Sequence, residues 1–311
     1  MEVWSHTFEF LKSLGLPELS LTLTAQNSTL NLRSKIIYAL AAYSAVSLGK
    51  KALELVIQGI QCSVPSKYAK LSRGDSEEDF VPKWALILGA DTAIGQGFAA
   101  ELAERGFQLV FVGKDMNSME NYAKTLCASK LVNVNFLELS YSEDHDLNKL
   151  LEELDITING VDIHLVVNAY SHMPLLELKE DSDYKMFSET CDKQIIVPSV
   201  VISKAIQKMQ ILNHGGLVYN ISSGFVEKPS KKYYLFGACA NFLDYYSQAS
   251  FKNHAKKGVF VHTVRHFLSK QASPEEHQRL AKNCLKWAGQ KPVIYGGFKD
   301  SLKSKLYYYF L

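Results

Sequence analysis

The chain has 311 residues, of which 47% are hydrophobic and 21% are charged, and its formal net charge is +2. This balance predicts one large globular α/β domain with short additions. Lysine and arginine form no basic stripe, so no nucleic-acid partner is predicted. The five cysteines contain no CxxC spacing and the nine histidines contain no HExxH spacing. No disulfide framework and no metal site is therefore predicted, and a reducing compartment is favoured.

Residues 1–71 are predicted to form a helical amino-terminal segment. The apolar stretch Ile36–Gly49 is shorter than the roughly 18 apolar residues of a spanning helix, and two lysines separate it from a second apolar stretch, Ala52–Cys62. A short anchor, a re-entrant helix and an amphipathic helix in a membrane interface all fit this pattern. An arm packed on the domain or on a partner subunit also fits it. A cleavable signal peptide is not predicted, because no basic start precedes an apolar run near Met1.

Residues 72–82 are polar and acidic and include a glycine and a proline, which is typical of a linker. Beyond them, short β-rich runs alternate with stretches long enough for crossover helices. The runs are ALIL (85–88), LVFV (109–112), VNFLEL (134–139), HLVVN (164–168), GLVYNIS, which ends at Ser222, and VFVHTV, which ends at Val264. This alternation predicts an α/β domain of Rossmann type, a doubly wound parallel sheet over residues 83–270. A helical carboxy-terminal extension, 271–311, follows it.

The first β-rich run leads directly into a glycine turn, Gly89–Gly95, with the sequence GADTAIG. A tight turn that passes into a helix amino terminus offers free N–H groups to a pyrophosphate. Ala93 stands in place of the middle glycine of this pattern, and its Cβ is expected to weaken phosphate binding without abolishing it. The residues of the turn predicted to bind a dinucleotide are Gly89, Asp91, Thr92, Ile94 and Gly95.

The end of the second β-rich run predicts the choice of nucleotide. An acidic residue at this place holds a ribose 2′-hydroxyl, whereas a cation accepts a 2′-phosphate. The chain has Gly113, Lys114 and Asp115 here. Lys114 favours NADP(H) over NAD(H), although the neighbouring Asp115 weakens that inference, and a solvated surface lysine is the alternative interpretation.

Three later segments resemble the short-chain dehydrogenase/reductase superfamily. Asn220–Gly224 (NISSG) is similar to a strand end of that family, Leu235–Asp244 (LFGACANFLD) to its I-Y-S-A-T-K-x-F-x-D helix, and Lys257–Val261 to its KGVFV segment. The resemblance covers about Trp84–Leu268. It indicates the branch of very-long-chain 3-oxoacyl-CoA reductases, steroid 17-beta-dehydrogenases and inactive hydroxysteroid-dehydrogenase-like proteins. This branch implies a place at the endoplasmic reticulum membrane on its cytosolic face, with a cytoplasmic protein as the alternative.

Carried over position by position, the resemblance retains one residue of the family's catalytic set. Ser223 occupies the serine position, Phe236 the tyrosine position and Ala240 the lysine position. The asparagine of the proton relay falls on an isoleucine within Gln194–Val197. In such enzymes a tyrosine transfers the proton, and a lysine four residues later lowers its pKa. Phenylalanine has no proton to transfer.

A further departure lies at the end of the fourth β-rich run. The family has NNAG where this chain has Val167-Asn168-Ala169-Tyr170. The resemblance carries Asn168 over as a cofactor-binding residue, while the bulk of Tyr170 narrows the nicotinamide side. His266 also replaces the proline that follows the sixth strand in the family.

These residues predict a pseudoenzyme of steroid or fatty-acyl metabolism that binds NADP(H) weakly or binds a partner. The alternative is an active NADPH-dependent ketone reductase, of the 17-beta-hydroxysteroid dehydrogenase or 3-oxoacyl-CoA reductase type, which uses another acid beside Ser223. The expected partners are a dinucleotide, a lipid or steroid ligand, a membrane, and a second subunit of the same or a related chain. The tail Leu302–Leu311 suits a membrane interface and a subunit contact equally.

Overall fold

The computed structural model describes residues 32–63, 66, 68–73, 82–139, 147–170, 184–224, 234–268, 272–297 and 300–303. The chain divides into two compact units, Met1–Gln61 and Cys62–Leu311. Helix α1, Leu32–Ser63, contains all of the described residues of the first unit. It lies within the predicted helical segment 1–71, whose residues 1–31 lie outside the described residues, so the extent of that segment stays a prediction. The exposed large apolar side chains of α1 are those of Ile37, Leu40, Tyr43, Val46, Leu48, Leu53 and Val56. The predicted linker at 72–82 stays a prediction, since residues 74–81 lie outside the described residues.

Strands and helices alternate in the second unit. The strands are β1 (Trp84–Leu88), β2 (Gln108–Gly113), β3 (Val134–Glu138), β4 (Ile163–Asn168), β5 (Gly216–Ser223), β6 (Val259–His266) and β7 (Val293–Tyr295). The helices are α2 (Ala93–Glu104), α3 (Met116–Ser129), α4 (Leu147–Gly160), α5 (Tyr184–Cys191), α6 (Val197–Leu212), α7 (Tyr234–His254) and α8 (Pro274–Leu285). A π-helical turn, Asp192–Ile196, joins α5 to α6. All six predicted β-rich runs are strands.

The seven described strands form one parallel sheet in the order β3-β2-β1-β4-β5-β6-β7. The prediction of a doubly wound parallel sheet is therefore confirmed. The strand order reverses between β1 and β4, and ligands of open α/β sheets bind in the crevice outside the carboxyl ends of the strands at such a point. The fold thus directs attention to the residues that follow β1 and β4.

Apolar side chains cover both faces of the sheet, because successive residues of a strand point to opposite faces. Ala85 and Ile87 of β1 belong to one buried cluster, with α2, α3 and α8, whereas Leu86 and Leu88 belong to the other, with α4 and α6. The edge strand β3 differs, since Phe136 is 37% exposed. Helix α2 packs Ile94, Phe98 and Leu102 into the cluster that contains Ala85 and Ile87.

One stretch of the described helices, Phe187–Leu212, is long and apolar enough to cross a membrane by length and composition alone. It starts within α5 and continues through the π-helical turn and α6. Its buried residues include Val201, Ile202 and Met209, which pack in the core beneath the sheet. This stretch is therefore the crossover between β4 and β5. Helix α1 does not meet the same criterion, and membrane association of residues 1–71 stays a prediction.

Candidate functional site

The crevice at the reversal of strand order is bounded by the turn after β1 and the turn after β4. Gly89 N–H donates to Val112 O of β2 at 2.7 Å, and Ala169 N–H donates to Leu88 O of β1 at 2.8 Å. These bonds continue the sheet ladder by one residue on each side of β1. The chain after β1 is thereby held at the carboxyl edge of the sheet, where the sequence predicted a dinucleotide site.

Two glycines of the turn have no room for a side chain. Gly89 adopts a φ of +84°, and a Cβ on it would lie 3.1 Å from Tyr170 N. A Cβ on Gly95 would lie 2.1 Å from Gly89 O. The turn therefore folds back on itself so closely that glycine is required at both ends.

Thr92 caps helix α2 and satisfies part of its amino terminus. Its Oγ1 accepts a hydrogen bond from Gly95 N at 3.0 Å and donates one to Gly89 O at 2.7 Å. Ile94 is 1% exposed and packs in the core, whereas Ala93 is exposed. The surface that a phosphate would reach at this helix amino terminus is consequently that of Ala93. A pyrophosphate fits here, although beside a methyl group.

Gly95→Ala is expected to lower the free energy of unfolding by about 2 kcal/mol, the usual cost of forcing a methyl group into a packed site. The methyl would meet the backbone carbonyl of Gly89, which the Thr92 bond and the sheet hold in place. Gly160→Ala is the matched control, because nothing lies within 4 Å of a Cβ built there, and it should be neutral or slightly stabilising. Urea unfolding of both variants measures the difference, and equal stabilities would contradict the expectation.

Asp91 ties the glycine turn to the end of β2. Its Oδ2 accepts hydrogen bonds from Lys114 N at 3.0 Å and from Asp115 N at 3.3 Å. Oδ1 is buried and makes no hydrogen bond within the described part of the chain. Gly113 leaves room for this carboxylate, since a Cβ there would lie 3.0 Å from Asp91 Cγ. A negative charge thus engages two N–H groups beside the place predicted for a 2′-phosphate.

Lys114 has a second lysine beside it. Lys193 lies in the π-helical turn between α5 and α6, and its Nζ forms an ion pair with Glu189 Oε2 at 2.9 Å. Burial, and next the neighbouring Lys193, lower the pKa of Lys114 to about 8. An anion bound between the two lysines would relieve this repulsion. The sequence did not point to Lys193, because no local pattern brings a residue after β4 to the end of β2.

Asn168 braces the sheet. Its Nδ2 donates to Asn220 Oδ1 at 3.0 Å, and Asn220 Nδ2 donates to Ser247 Oγ of α7 at 2.8 Å. Asn168 Oδ1 accepts from Tyr170 N at 3.2 Å. Tyr170 is 4% exposed, and its ring packs in the cluster that contains Leu88. Because Asn168 is completely buried, we interpret it as a positioning residue for the turn after β4.

The positions of the catalytic set lie at the end of β5 and in the first two turns of α7. Ser223 is the last residue of β5 and is 8% exposed. Phe236 is half-buried, and Ala240 is completely buried. The ring of Phe267 packs closely on Gly224, where a Cβ would lie 2.3 Å from Phe267 Cε2. Phe236 has no ionisable group, and the side chain of Ala240 is buried where α7 packs on the domain.

A cavity of about 520 Å³ lies between the end of β6, helix α8 and the segment after β7. Phe267 lines it and separates it from Gly224. Its charged lining residues are of both signs: Glu276, Arg279, Asp300 and Lys303. Burial raises the pKa of Asp300. The cavity is large enough for a small molecule, although its mixed charge does not select one.

One further group of metal-ligating residue types comes together in the described structure: Asp162, His164 and His214, at the opposite edge of the sheet. His214 Nε2 lies 2.8 Å from Asp162 Oδ1, and His214 Nδ1 lies 2.6 Å from Gly215 O. Both ring nitrogens of His214 thus already have an oxygen partner within the protein. The ring stacks on His164 with 3.8 Å between centroids. This geometry fits a hydrogen-bonded histidine–aspartate contact better than a metal site, since each ring nitrogen of His214 is already engaged by an oxygen.

Residues 83–267 match the family model for short chain dehydrogenase. The chain belongs to the short chain dehydrogenase family. The chain is 24% identical to hydroxysteroid dehydrogenase-like protein 1 of Gallus gallus over 192 residues, which are 60% of this chain and 55% of that protein. It is 27% identical to inactive hydroxysteroid dehydrogenase-like protein 1 of Danio rerio over 218 residues, 68% of this chain and 65% of that protein.

The chain also resembles a protein named for an activity. It is 23% identical to very-long-chain 3-oxoacyl-CoA reductase-A of Danio rerio over 203 residues, 63% of this chain and 61% of that protein. The matches span about half to two thirds of the length of these relatives. A solved structure of 7beta-hydroxysteroid dehydrogenase superposes with a TM-score of 0.61 at 18% identity, covering 73% of this chain and 92% of that chain. That likeness shows the fold alone.

Proposed function

We propose that this chain is a non-catalytic member of its family that binds a dinucleotide and acts by binding rather than by turnover. The observation that carries the proposal is the pair Phe236 and Ala240 on α7, beside a retained Ser223. A nicotinamide bound nearby would supply or accept hydride. The chain must then supply or accept the proton, and loss of a positioned acid alone costs about 10²- to 10⁴-fold in rate.

No neighbouring tyrosine within the described residues substitutes for the missing one. Tyr234 lies at the start of α7, and Tyr245 and Tyr246 lie more than two helical turns beyond Phe236. Burial raises the pKa of Tyr246, which opposes proton transfer at neutral pH. Tyr219 is completely buried inside β5, and burial raises its pKa as well. The positions of these tyrosines, and the raised pKa values of Tyr219 and Tyr246, support a binding role for the chain rather than a catalytic one.

NADP(H) is the nucleotide we propose, on the basis of Lys114 and Lys193. Two adjacent lysines in a half-buried place favour a bound phosphate. Asp91 opposes the binding of a phosphate at this place, because its carboxylate already accepts hydrogen bonds from the N–H groups of Lys114 and Asp115. Together with Ala93, this carboxylate is expected to make the binding weak. The proposed role for the bound state is sensing or partner binding in steroid or fatty-acyl metabolism, where several similar proteins are named.

Calorimetric titration with NADPH and NADH, followed by turnover assays on the same sample, tests the proposal. We expect binding of NADPH without oxidation of NADPH when a steroid ketone or a 3-oxoacyl-CoA is added. Turnover at ordinary enzymatic rates would refute the non-catalytic role. Complete absence of nucleotide binding would refute the dinucleotide role and leave a structural partner.

Asp91→Asn is expected to tighten NADPH binding roughly fivefold while it changes NADH binding little. Removing one negative charge beside a phosphate is worth about 1 kcal/mol near a protein surface, and the asparagine oxygen still accepts the Lys114 N–H. Asp115→Asn is the matched control, since Asp115 caps α3 through Ser118 N and asparagine is an equally good cap. Equal tightening of NADH and NADPH would show that the 2′-phosphate is not involved.

The alternative function is an active NADPH-dependent ketone reductase, favoured by the retained Ser223 and by relatives such as 17-beta-hydroxysteroid dehydrogenase type 3 of Danio rerio. Ser223→Ala separates the two functions. An active reductase would lose most of its rate, whereas a binding protein keeps its NADPH affinity and has no rate to lose.

We further propose that the protein sits at the endoplasmic reticulum membrane, on the cytosolic face. The exposed apolar side chains along α1 support this location, as does the branch that the motifs resemble. Fractionation of cells that express the full chain tests it. A protein released by carbonate washing would be peripheral, and one found wholly in the cytosolic fraction would contradict the proposal. We also propose a lipid or steroid ligand and a second subunit as partners of the chain.

A further inference from the structure

Two thiols meet next to the positions of the lost catalytic residues. Cys191 is the last residue of α5, and Cys239 lies in the second turn of α7. The Cys239 side chain is within hydrogen-bonding reach of the Cys191 side chain, and α7 contacts both α5 and the π-helical turn. Both cysteines are free. They are far apart in sequence, so counting and spacing of cysteines gave no sign of the pair.

We propose that Cys191 and Cys239 form a reversible disulfide that links the α5–α6 crossover to α7. A disulfide needs Cα atoms within about 7 Å of each other and side chains directed at one another. The interaction between the two side chains, on helices that contact each other, shows that the thiols are directed at one another. The described part of the chain contains no other cysteine pair of this kind, since Cys127 is exposed and Cys284 is completely buried in another cluster.

The exposure of the two thiols sets the order of the chemical steps. Cys191 is partly exposed, whereas Cys239 is 1% exposed. Hydrogen peroxide would oxidise the Cys191 thiol to a sulfenic acid and be reduced to one water molecule. The Cys239 sulfur would then displace the hydroxyl of the sulfenic acid, which forms the S–S bond and releases a second water. A thiol reductant such as glutathione returns both electrons and restores two thiols.

Burial raises the pKa of Cys239 to about 12, which makes it a poor target for direct oxidation and leaves Cys191 as the site of attack. The attack on an oxidised Cys191 is within one molecule and between neighbouring side chains, which compensates for the low thiolate fraction of Cys239. The disulfide would also restrain the π-helical turn that carries Lys193. That link to the lysine pair rests on the proposed nucleotide function, whereas the disulfide itself does not.

The test uses the full chain, first reduced and then treated with hydrogen peroxide. Remaining thiols are alkylated, and peptides are identified by mass spectrometry. We expect a cross-linked peptide joining Cys191 to Cys239 that disappears after treatment with a thiol reductant. Cys127 serves as the internal control for exposure alone, since it should be oxidised without forming that link. Conditions that oxidise Cys127 but leave Cys191 and Cys239 alkylated would overturn the proposal, as would a link from Cys191 to any other cysteine.

Variants separate the two roles. Cys191→Ser should leave Cys239 fully alkylated after peroxide, because the buried thiol has lost its oxidised partner. Cys239→Ala should let Cys191 proceed to sulfinic acid, which a thiol reductant does not reverse. Cys127→Ser is the matched control and should form the link as the unmodified chain does. If Cys239→Ala fails to fold, the unmodified chain and Cys191→Ser still decide the question, and an unchanged fate of Cys239 in Cys191→Ser would contradict the pairing.

The link to the nucleotide site is measured separately, by NADPH titration of the reduced and the oxidised chain. A change in affinity of threefold or more that Cys191→Ser abolishes supports the coupling, and identical affinities overturn it. Loss of NADPH binding in both states would instead refute the proposed nucleotide function and leave the disulfide unaffected.

Discussion

Ala240→Lys, the substitution that restores the family's lysine, is expected to lower the free energy of unfolding by about 3–5 kcal/mol, the usual cost of a buried charge without a partner. Ala240 has no exposed surface, and its neighbour Cys239 is 1% exposed. The carboxylate one turn away, Asp244, already binds Arg265 through two bonds of 3.1 and 2.8 Å. Lysine at position 240 would therefore enter a packed region whose nearest negative charge on α7 is taken.

Ala238→Lys is the matched control, because position 238 lies on the same helix and is exposed. It adds the same charge and the same helix propensity, and it should change stability by no more than about 0.5 kcal/mol. Ala240→Met separates volume from charge, since methionine has a similar length and no charge. Urea unfolding of the three variants measures the effect. A stable Ala240→Lys protein would mean that this part of α7 opens to solvent and that the catalytic arrangement is easier to restore than the packing indicates.

Positions 236 and 240 differ in how easily they could accept the side chains of the family's catalytic set. Phe236 is half-buried, so a tyrosine hydroxyl at that position reaches space or solvent without a large penalty. Position 240 does not offer the same freedom. The departure from the family's catalytic set therefore lies in the core of the domain at position 240 and closer to the surface at position 236. Phe236→Tyr alone would leave a tyrosine without the cation that lowers its pKa.

The fold could be predicted from sequence because its signals are local. Each central strand is a short apolar run, and each is followed by a stretch long enough to cross back, so alternation alone leads to a parallel sheet. The short strand β7 carries only Val293–Tyr295, and it has no comparable run, which is why it was not predicted. The start of α8 also carries a local signal, since Pro274 is its first residue and Ser273 with Glu276 forms a complete capping box there.

The site was predictable only in part because its decisive contacts join distant segments. Glycine spacing placed the turn correctly, and Gly89, Asp91, Thr92, Gly95 and Lys114 do lie together at the end of β1 and β2. Lys193 lies beside Lys114 because of a π-helical turn, and no periodicity in the sequence predicts that turn. The burial of Ile94 follows from the apolar stripe of α2, which competes with a role in phosphate binding. Asp91 was named for the ligand, while the structure also gives it two backbone partners.

A second large effect is expected from acid, through a histidine buried in the sheet. His262 lies in β6, is completely buried and stacks on Tyr219 with 5.1 Å between ring centroids. Its Nδ1 lies 2.6 Å from Lys291 O, and its Nε2 accepts a hydrogen bond from Gly289 N at 3.1 Å. One nitrogen donates and the other accepts, so the neutral ring satisfies both partners. Burial lowers the pKa of His262 to about 4.

Stability should therefore fall as the pH drops from about 6.5 toward 4. An unfolded histidine binds its proton near pH 6.5, whereas folded His262 resists protonation until about pH 4, so the unfolded state gains protons first in this window. At about 1.4 kcal/mol per pH unit, the folded state loses roughly 3 kcal/mol of stability across this pH window, and none above pH 6.5.

His262→Gln, which keeps an acceptor for Gly289 N–H, removes the titration. Urea unfolding between pH 8 and pH 4.5 should show a flatter profile for His262→Gln, with pH 8 as the common baseline. His254→Gln, at a half-buried ring, is the control and should retain most of the acid sensitivity. Parallel profiles for His262→Gln and the unmodified chain would place the acid sensitivity at other groups, such as His164, whose pKa burial also lowers.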